Sequence, residues 1–430
     1  MDKKDKDMKV LVIGGGGRCH AIVDALSRSE SVAKIYAAPG NAGIGRQAEC
    51  VAIGVTDIPA LLDFARSHDI DLTIVGPEAP LAMGIVDRFR EAGLRVFGPT
   101  QSAARIESSK QFAKDLMARH GIPTASYRTF TDYDEALAYV KAGSIPVVIK
   151  YDGLAAGKGV VVALTLAEAE DALRDMLLDG TFGEGKVVVE EFLDGPEFSF
   201  MCIVNGTKVY PLAIARDHKR AYDHDRGPNT GGMGAYSPAP IVTPQIHEQV
   251  MREIIRPTVD GMAADGIPFT GFLYAGLMID RDSEGNSVVK TLEFNCRMGD
   301  PETQPIMSRL TSSFVDLIEA AIDGRLDTVE AQWDNRVALG VVCAAKGYPE
   351  KPEKGAQITM LPADGDSLHV FHAGTKKQDG LTVVSGGRVL CVVGLGLTVK
   401  EAARVAYDGV KKVHFDGMQY RSDIGYRAMK

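Results

Sequence analysis

Basic runs, paired cysteines and long apolar stretches are scarce in this 430-residue chain, and each scarcity removes a class of function. No cluster of Lys and Arg offsets the formal net charge of -9. A nucleic-acid or anionic-membrane surface therefore lacks an electrostatic footprint, and small molecules are the expected partners. The six cysteines (Cys19, Cys50, Cys202, Cys296, Cys343, Cys391) form no CxxC pair and no metal-ligand spacing. That argues against a zinc site or a disulfide framework and for a reducing, cytoplasmic setting. No stretch is apolar for the roughly 20 residues that a bilayer crossing needs. The charged opening MDKKDKDMKV has no signal-peptide core and reads as a solvated lead-in. Repeats and low-complexity linkers are also absent. What remains is an ordinary globular composition, 45% hydrophobic and 24% charged, with length for two to four domains of about 100–200 residues.

The first hundred residues alternate buried-strand and helix patterns. Val10-Leu11-Val12-Ile13 runs into Gly14-Gly15-Gly16-Gly17 and then a helical stretch, Cys19 to Leu26. Apolar runs at 33–38, 72–75 and 95–97 end at Pro39-Gly40-Asn41, Gly76-Pro77-Glu78 and Gly98-Pro99. Such strands with turns at their ends predict a parallel α/β sheet. From Ser108 to Trp333 helices mix with strands and glycine-rich loops, which predicts an α+β body with mobile lids. Beyond Trp333, runs at 337–342, 369–372 and 389–393 followed by a helix near 402–406 predict a small α+β unit.

The Gly14–Gly17 turn suits an anion, because glycine admits close backbone approach and a helix N-terminus favours negative charge. Gly15, Gly16 and Gly17 are thus candidate ligand contacts. A dinucleotide fold would also need an acidic residue at the second strand's end. Here that end reads Tyr36-Ala37-Ala38-Pro39, which weakens a dehydrogenase reading. Lys150, followed by Gly153, Gly157, Lys158 and Gly159, can place an ammonium and backbone N–H groups around a polyphosphate. It is not a Walker loop. Backbone groups of Glu191, Phe192 and Leu193 suit an adenine edge, and Glu197 a ribose. In Thr291 to Gln304, Glu293 and Asn295 share one strand face as hard oxygen ligands for magnesium. Arg297, two further on, could clamp a carboxylate or a transferring phosphoryl group.

These stretches resemble the ATP-grasp ligases. Gly14 to Arg18 with His20, Glu107-Ser-Ser-Lys110, Asp217-His218-Lys219-Arg220, GPNTGGMG at 227–234 and Phe371-His-Ala-Gly-Thr375 narrow the likeness to the phosphoribosylamine-glycine ligase (glycinamide ribonucleotide synthetase) family, end to end. The resemblance implies an N-terminal Rossmann-like sheet over 8–106, a central ATP-grasp domain over 107–332 with a lid at about 126–195, and a C-terminal domain over 333–430. It implies that ATP, glycine and 5-phosphoribosylamine give glycinamide ribonucleotide, ADP and phosphate through glycyl phosphate, a step of purine synthesis. Lys110, Lys150, Gly157, Lys158 and Gly159 would hold ATP phosphates, and Glu190, Glu191, Phe192, Leu193 and Glu197 the adenosine. Glu293 and Asn295 would ligate magnesium or manganese. Arg297 and Asp217 would act catalytically, and Gly231, Gly232, Met233, Gly234 and Asp300 would face glycine and the ribosyl substrate. A monomer or weak homodimer is expected. One departure stands out: the family reads GGREHA where this chain has Cys19, expected here as a packing residue rather than a nucleophile. Competing readings are another ATP-grasp carboxylate ligase, against which GPNTGGMG and DHKR argue, and a non-catalytic nucleotide-binding regulator, against which Glu293, Asn295 and Arg297 argue.

Overall fold

A computed structural model of the chain describes residues 7–155 and 158–429, so Gly157 lies outside the described residues. Five parallel strands, β1 (Met8–Gly14), β2 (Val32–Pro39), β3 (Glu49–Cys50), β4 (Leu72–Val75) and β5 (Val96–Phe97), form a sheet in the order β3-β2-β1-β4-β5. Val10 to Ile13 are fully buried because helices cover both faces of a parallel sheet. The turns at Gly14–Gly17, 39–41, 76–78 and 98–99 follow strand C-termini, the edge where open α/β sheets bind ligands. Helix α1 (Gly17–Ser27) starts directly at the first of them.

Two four-stranded sheets build the centre. In the first, Tyr127–Phe130, Val187–Glu191, Val147–Tyr151 and Val160–Ala163 lie side by side in that order. Helices Tyr133–Ala142 and Leu166–Leu177, N-capped by Asp132 and Thr165, back this sheet. It keeps its own apolar core around Phe130, Ile149, Leu173 and Val189. The second runs Lys208–Pro211, Glu197–Asn205, Thr270–Arg281, Ser287–Asn295. Its last pair is broken by a bulge: Gly276 pairs with Glu293 but Leu277 with Thr291, leaving Leu292 unmatched. Bulges re-aim backbone groups beside active sites, and here the Leu292 carbonyl accepts from Lys150 Nζ at 2.9 Å.

The C-terminal sheet orders Arg216–Asp217, Gly234–Ser237, Val337–Ala344, Arg388–Gly396 and Leu368–His372, packed under helix Val399–Val410. Two of its strands come from the middle of the chain. Between them projects a hairpin, Arg220–Tyr222 against Arg226–Asn229. Among the described residues no helix is long and apolar enough to cross a membrane.

Candidate active site

A cleft of about 670 Å³ opens between the two central sheets and the Asp217–Gly231 wall. At one end, helix Lys110–Arg119 begins behind Ser109, whose hydroxyl accepts from Phe112 N and donates to Asp152. Asp152 also accepts from Gln111 N at 3.1 Å, so the glycine-rich loop is tied to the helix start. Lys110 lies 3.9 Å from Glu293, and Lys114, one turn along the same helix face, reaches Glu190 at 3.1 Å. Lys150 reaches the other oxygen of Glu190 at 3.0 Å. Glu190 therefore spends its carboxylate on two lysines. Burial, partly opposed by Glu190, lowers the Lys114 pKa to about 8.

Removing one member of a buried ion cluster leaves its partners uncompensated. Glu190→Gln is expected to destabilise the fold by about 3–5 kcal/mol in denaturant titration. It should also raise KM for ATP by roughly tenfold as Lys150 loses its anchor. An unchanged unfolding midpoint would show that the two ammonium groups do not depend on that carboxylate.

Deeper in the cleft, Glu293 and Asn295 end a strand, and Arg297 follows just beyond it. Arg297 Nε lies 3.3 Å from Glu78 and its Nη2 lies 3.3 Å from Glu107. Glu107 also accepts from Cys296 N at 2.9 Å. Burial works against charge on Glu293, yet Lys110, Lys219, Lys150 and Arg297 hold its carboxyl down to about 2. Two hard oxygens from Glu293 and Asn295 suit a magnesium-type cation completed by phosphate and water oxygens. Among the described residues no group of three His, Cys, Asp or Glu converges as a protein-only metal site. Asp217, partly exposed in the wall, is pushed up to about 7 by burial and by Glu302 and Glu197, against Lys219. Below it Ser199 Oγ bonds Tyr274 Oη at 2.9 Å and donates to the buried Glu302 at 3.1 Å.

Lys110, Lys150, Gly159, Glu190, Glu191, Phe192, Leu193, Glu197, Asp217, Gly231, Glu293, Asn295, Arg297 and Asp300 all line this cleft. Lys158 lines an adjoining hollow with Arg220 and Asn229. Other expected contacts do not face the cleft. Gly15, Gly16 and Gly17 are absent from its lining and pack the wall: a Cβ on Gly15 would sit 2.5 Å from the Gly40 carbonyl oxygen, and one on Gly17 2.4 Å from Gln304 Nε2. Gly232 lies against Pro301, Gly234 against Ile424, and the Met233 side chain is buried in the core. The reason is close packing, which needs small residues where Asp300, carrying the Arg18 N–H at 3.2 Å, meets Arg388 from the C-terminal sheet.

His20 and His218 each hold a backbone N–H. His20 Nδ1 accepts from His372 N at 2.7 Å and burial lowers its pKa to about 4. His218 Nε2 accepts from Gly425 N at 3.0 Å, with burial and then Arg421 lowering it to about 3. Cys19 is buried with Sγ between Gly14 and Gly76, and burial pushes its thiol up to about 11, which suits packing and not attack. Sequence reasoning left Glu78, Glu107, Lys114, Glu302 and Arg388 without roles. Glu78 had a signal in its place just past a strand end, and Lys114 in its spacing of four from Lys110.

Models of three phosphoribosylglycinamide synthetase domains match the chain in order: the N domain at residues 8–107, the ATP-grasp (A) domain at 108–303 and the C domain at 338–427. Proteins named phosphoribosylamine-glycine ligase from Xanthomonas campestris and Escherichia coli are each 57% identical to it, over 427 and 432 residues. These alignments cover 98% of this chain, and 98% and 99% of those proteins. A crystal structure of phosphoribosylamine-glycine ligase from Thermotoga maritima matches with a TM-score of 0.84 at 36% identity, covering 97% of this chain and all of that one. A biotin carboxylase structure from Campylobacter jejuni shares the fold alone, at TM-score 0.72 and 15% identity, over 97% of this chain and 94% of its own. Because all three domain models fall in order on one chain, and the Thermotoga fold is shared nearly end to end, the chain belongs to the phosphoribosylglycinamide synthetase family.

Proposed function

We propose that this enzyme joins glycine to 5-phosphoribosylamine at the expense of ATP, giving glycinamide ribonucleotide, ADP and phosphate. The carrying observation is the full-length 57% identity to ligases of that name; the cleft supports it with cations and hard oxygens around one carboxylate-rich corner. In the first step a glycine carboxylate oxygen attacks the γ-phosphorus of ATP. The bond from that phosphorus to the bridging oxygen breaks, and ADP leaves with the electron pair. Lys110, Lys150 and Arg297 spread the charge that develops on the phosphoryl oxygens, the main lever in phosphoryl transfer. In the second step the substrate amine attacks the acyl carbon, the carbon-to-phosphate-oxygen bond breaks, and phosphate departs. Asp217, whose carboxyl burial holds above the usual carboxylate range, takes the amine proton. Glu293 and Asn295 would hold magnesium or manganese, which neutralises phosphate charge when bound. Glu191 to Leu193 and Glu197 would hold the adenosine.

Phosphate release should require ATP, divalent metal, glycine and freshly generated phosphoribosylamine together, each omission returning the rate to background. Release with a different carboxylate and amine, and none with this pair, would overturn the substrate assignment.

A further inference from the structure

We propose that residues 421–427 form a clasp that sets the hairpin of the cleft wall, with Arg421 as a positioning residue for the amine substrate. This rests on the ligase reading above. The Arg421 side chain is wholly buried though charged. Its guanidinium donates to Asp423 through Nε at 2.8 Å and Nη2 at 2.9 Å, to Asp225 Oδ1 at 3.0 Å and to the Arg220 carbonyl at 3.1 Å. Asp225 and its neighbour His224 form the hairpin tip, and both are non-glycine residues in the left-handed region, at φ 54° and 60°. Such a conformation persists only where surroundings over-determine it. They do so here: His224 N donates to Asp423 at 2.9 Å, Tyr426 Oη to Asp225 at 2.8 Å, and Ser422 N to Asp223 at 2.8 Å. Arg427 adds an ion pair to Asp225.

The clasp reaches the cleft by short links. Arg220, whose carbonyl Arg421 holds, follows directly on Asp217, His218 and Lys219, and Gly425 N fixes His218. Thr230 N and Oγ1 both donate to the Lys219 carbonyl at 2.7 Å, closing the hairpin base onto Gly231. None of these bonds involves Lys110, Lys114, Lys150 or Glu190, the lysines and carboxylate at the far end. A loosened clasp should therefore displace the wall that meets the amine substrate and leave the nucleotide in place.

The test compares unmutated enzyme with Arg421→Lys, Asp225→Asn and Tyr426→Phe, following phosphate release with each substrate varied in turn, beside thermal unfolding. The expected result is a rise of about tenfold or more in KM for phosphoribosylamine, with KM for ATP changed by less than about twofold. The unfolding midpoint should stay within about 3 °C for Tyr426→Phe, which alters no charge and carries the test if Arg421→Lys or Asp225→Asn does not fold. Parallel rises in both KM values, a loss of kcat alone, or no change would overturn the clasp. Absence of release by the unmutated enzyme would overturn the ligase reading, and the clasp's role with it.

Discussion

Glu293→Ala is expected to cut ATP-dependent phosphate release by about a thousandfold while the protein remains folded. The reason lies in the charges around that carboxylate. Lys110 is 3.9 Å away, and Lys219, Lys150 and Arg297 add to the field that holds its carboxyl down to about 2 against the partial burial that opposes the charge. It is the one anionic oxygen donor of the Glu293–Asn295 pair, so its removal takes a negative charge from the place where a divalent cation and a triphosphate must share a cluster of cations. Without it the cation is held by a neutral amide oxygen, and the transferring phosphoryl group loses alignment, whereas the lysines still attract the nucleotide. The loss should fall on kcat more than on KM for ATP. Because the folded carboxyl titrates below its ordinary value, its contribution to stability is present above about 4.5 and fades as pH falls toward 2. Unfolding free energies of the two proteins should accordingly converge in that acid window. Glu293→Gln, which keeps an oxygen without the charge, should recover little of the rate. A variant within about tenfold of the unmutated rate at saturating metal would remove Glu293 from the chemistry.

Local pattern made some of this site readable from sequence, and distance along the chain hid the rest. Glu293, Asn295 and Arg297 could be placed together because side chains two apart share a strand face, and all three line the cleft. The strand ends at Asn295, however, and Arg297 is brought in by Glu78 and Glu107, partners 219 and 190 residues distant that no periodicity announces. The resemblance put Glu190 among the adenosine contacts; only the helix carrying Lys114, packed across from it, shows the carboxylate to be engaged. The glycine turn at 14–17 carried an anion-binding signature, yet the same small residues serve the contact with Asp300 and Gln304. Strand runs after residue 333 were legible, but their sheet is completed by Arg216–Asp217 and Gly234–Ser237, segments too short for a pattern. That pairing is what hangs the hairpin over the cleft.

Arg297→Met should both unfold more readily, by about 3–5 kcal/mol, and lose activity to background. The guanidinium joins three parts of the chain: the short helix Glu78–Ala82 through Glu78, the helix Gln101–Ser108 through Glu107, and the strand that carries Glu293. Met fills much of the volume but takes away the cation that bridges the two carboxylates, leaving Glu78 with Arg18 at 3.8 Å and Glu107 with no ion-pair partner of its own among the described residues. Burial already raises Glu107 above its ordinary value, and Arg297 is the largest influence holding it down. Without Arg297 that carboxyl climbs further, so the folded variant binds a proton that the unfolded chain releases. Stability is then retained below about 4.5 and lost as pH rises through the raised value. The gap between the unmutated protein and Arg297→Met should be wider at pH 8 than at pH 5, which urea titrations at the two values would measure. Arg297→Lys restores one charge but not the fork that spans two carboxylates, so it should regain part of the stability and stay about a hundredfold down in kcat. Pairing Arg297→Met with Glu107→Gln separates the two roles. The neutral amide relieves the buried charge and should recover stability, while phosphate release stays at background because the guanidinium that works beside Lys110 and Lys150 on the phosphoryl oxygens is gone. Recovery of both would make Arg297 a purely architectural residue.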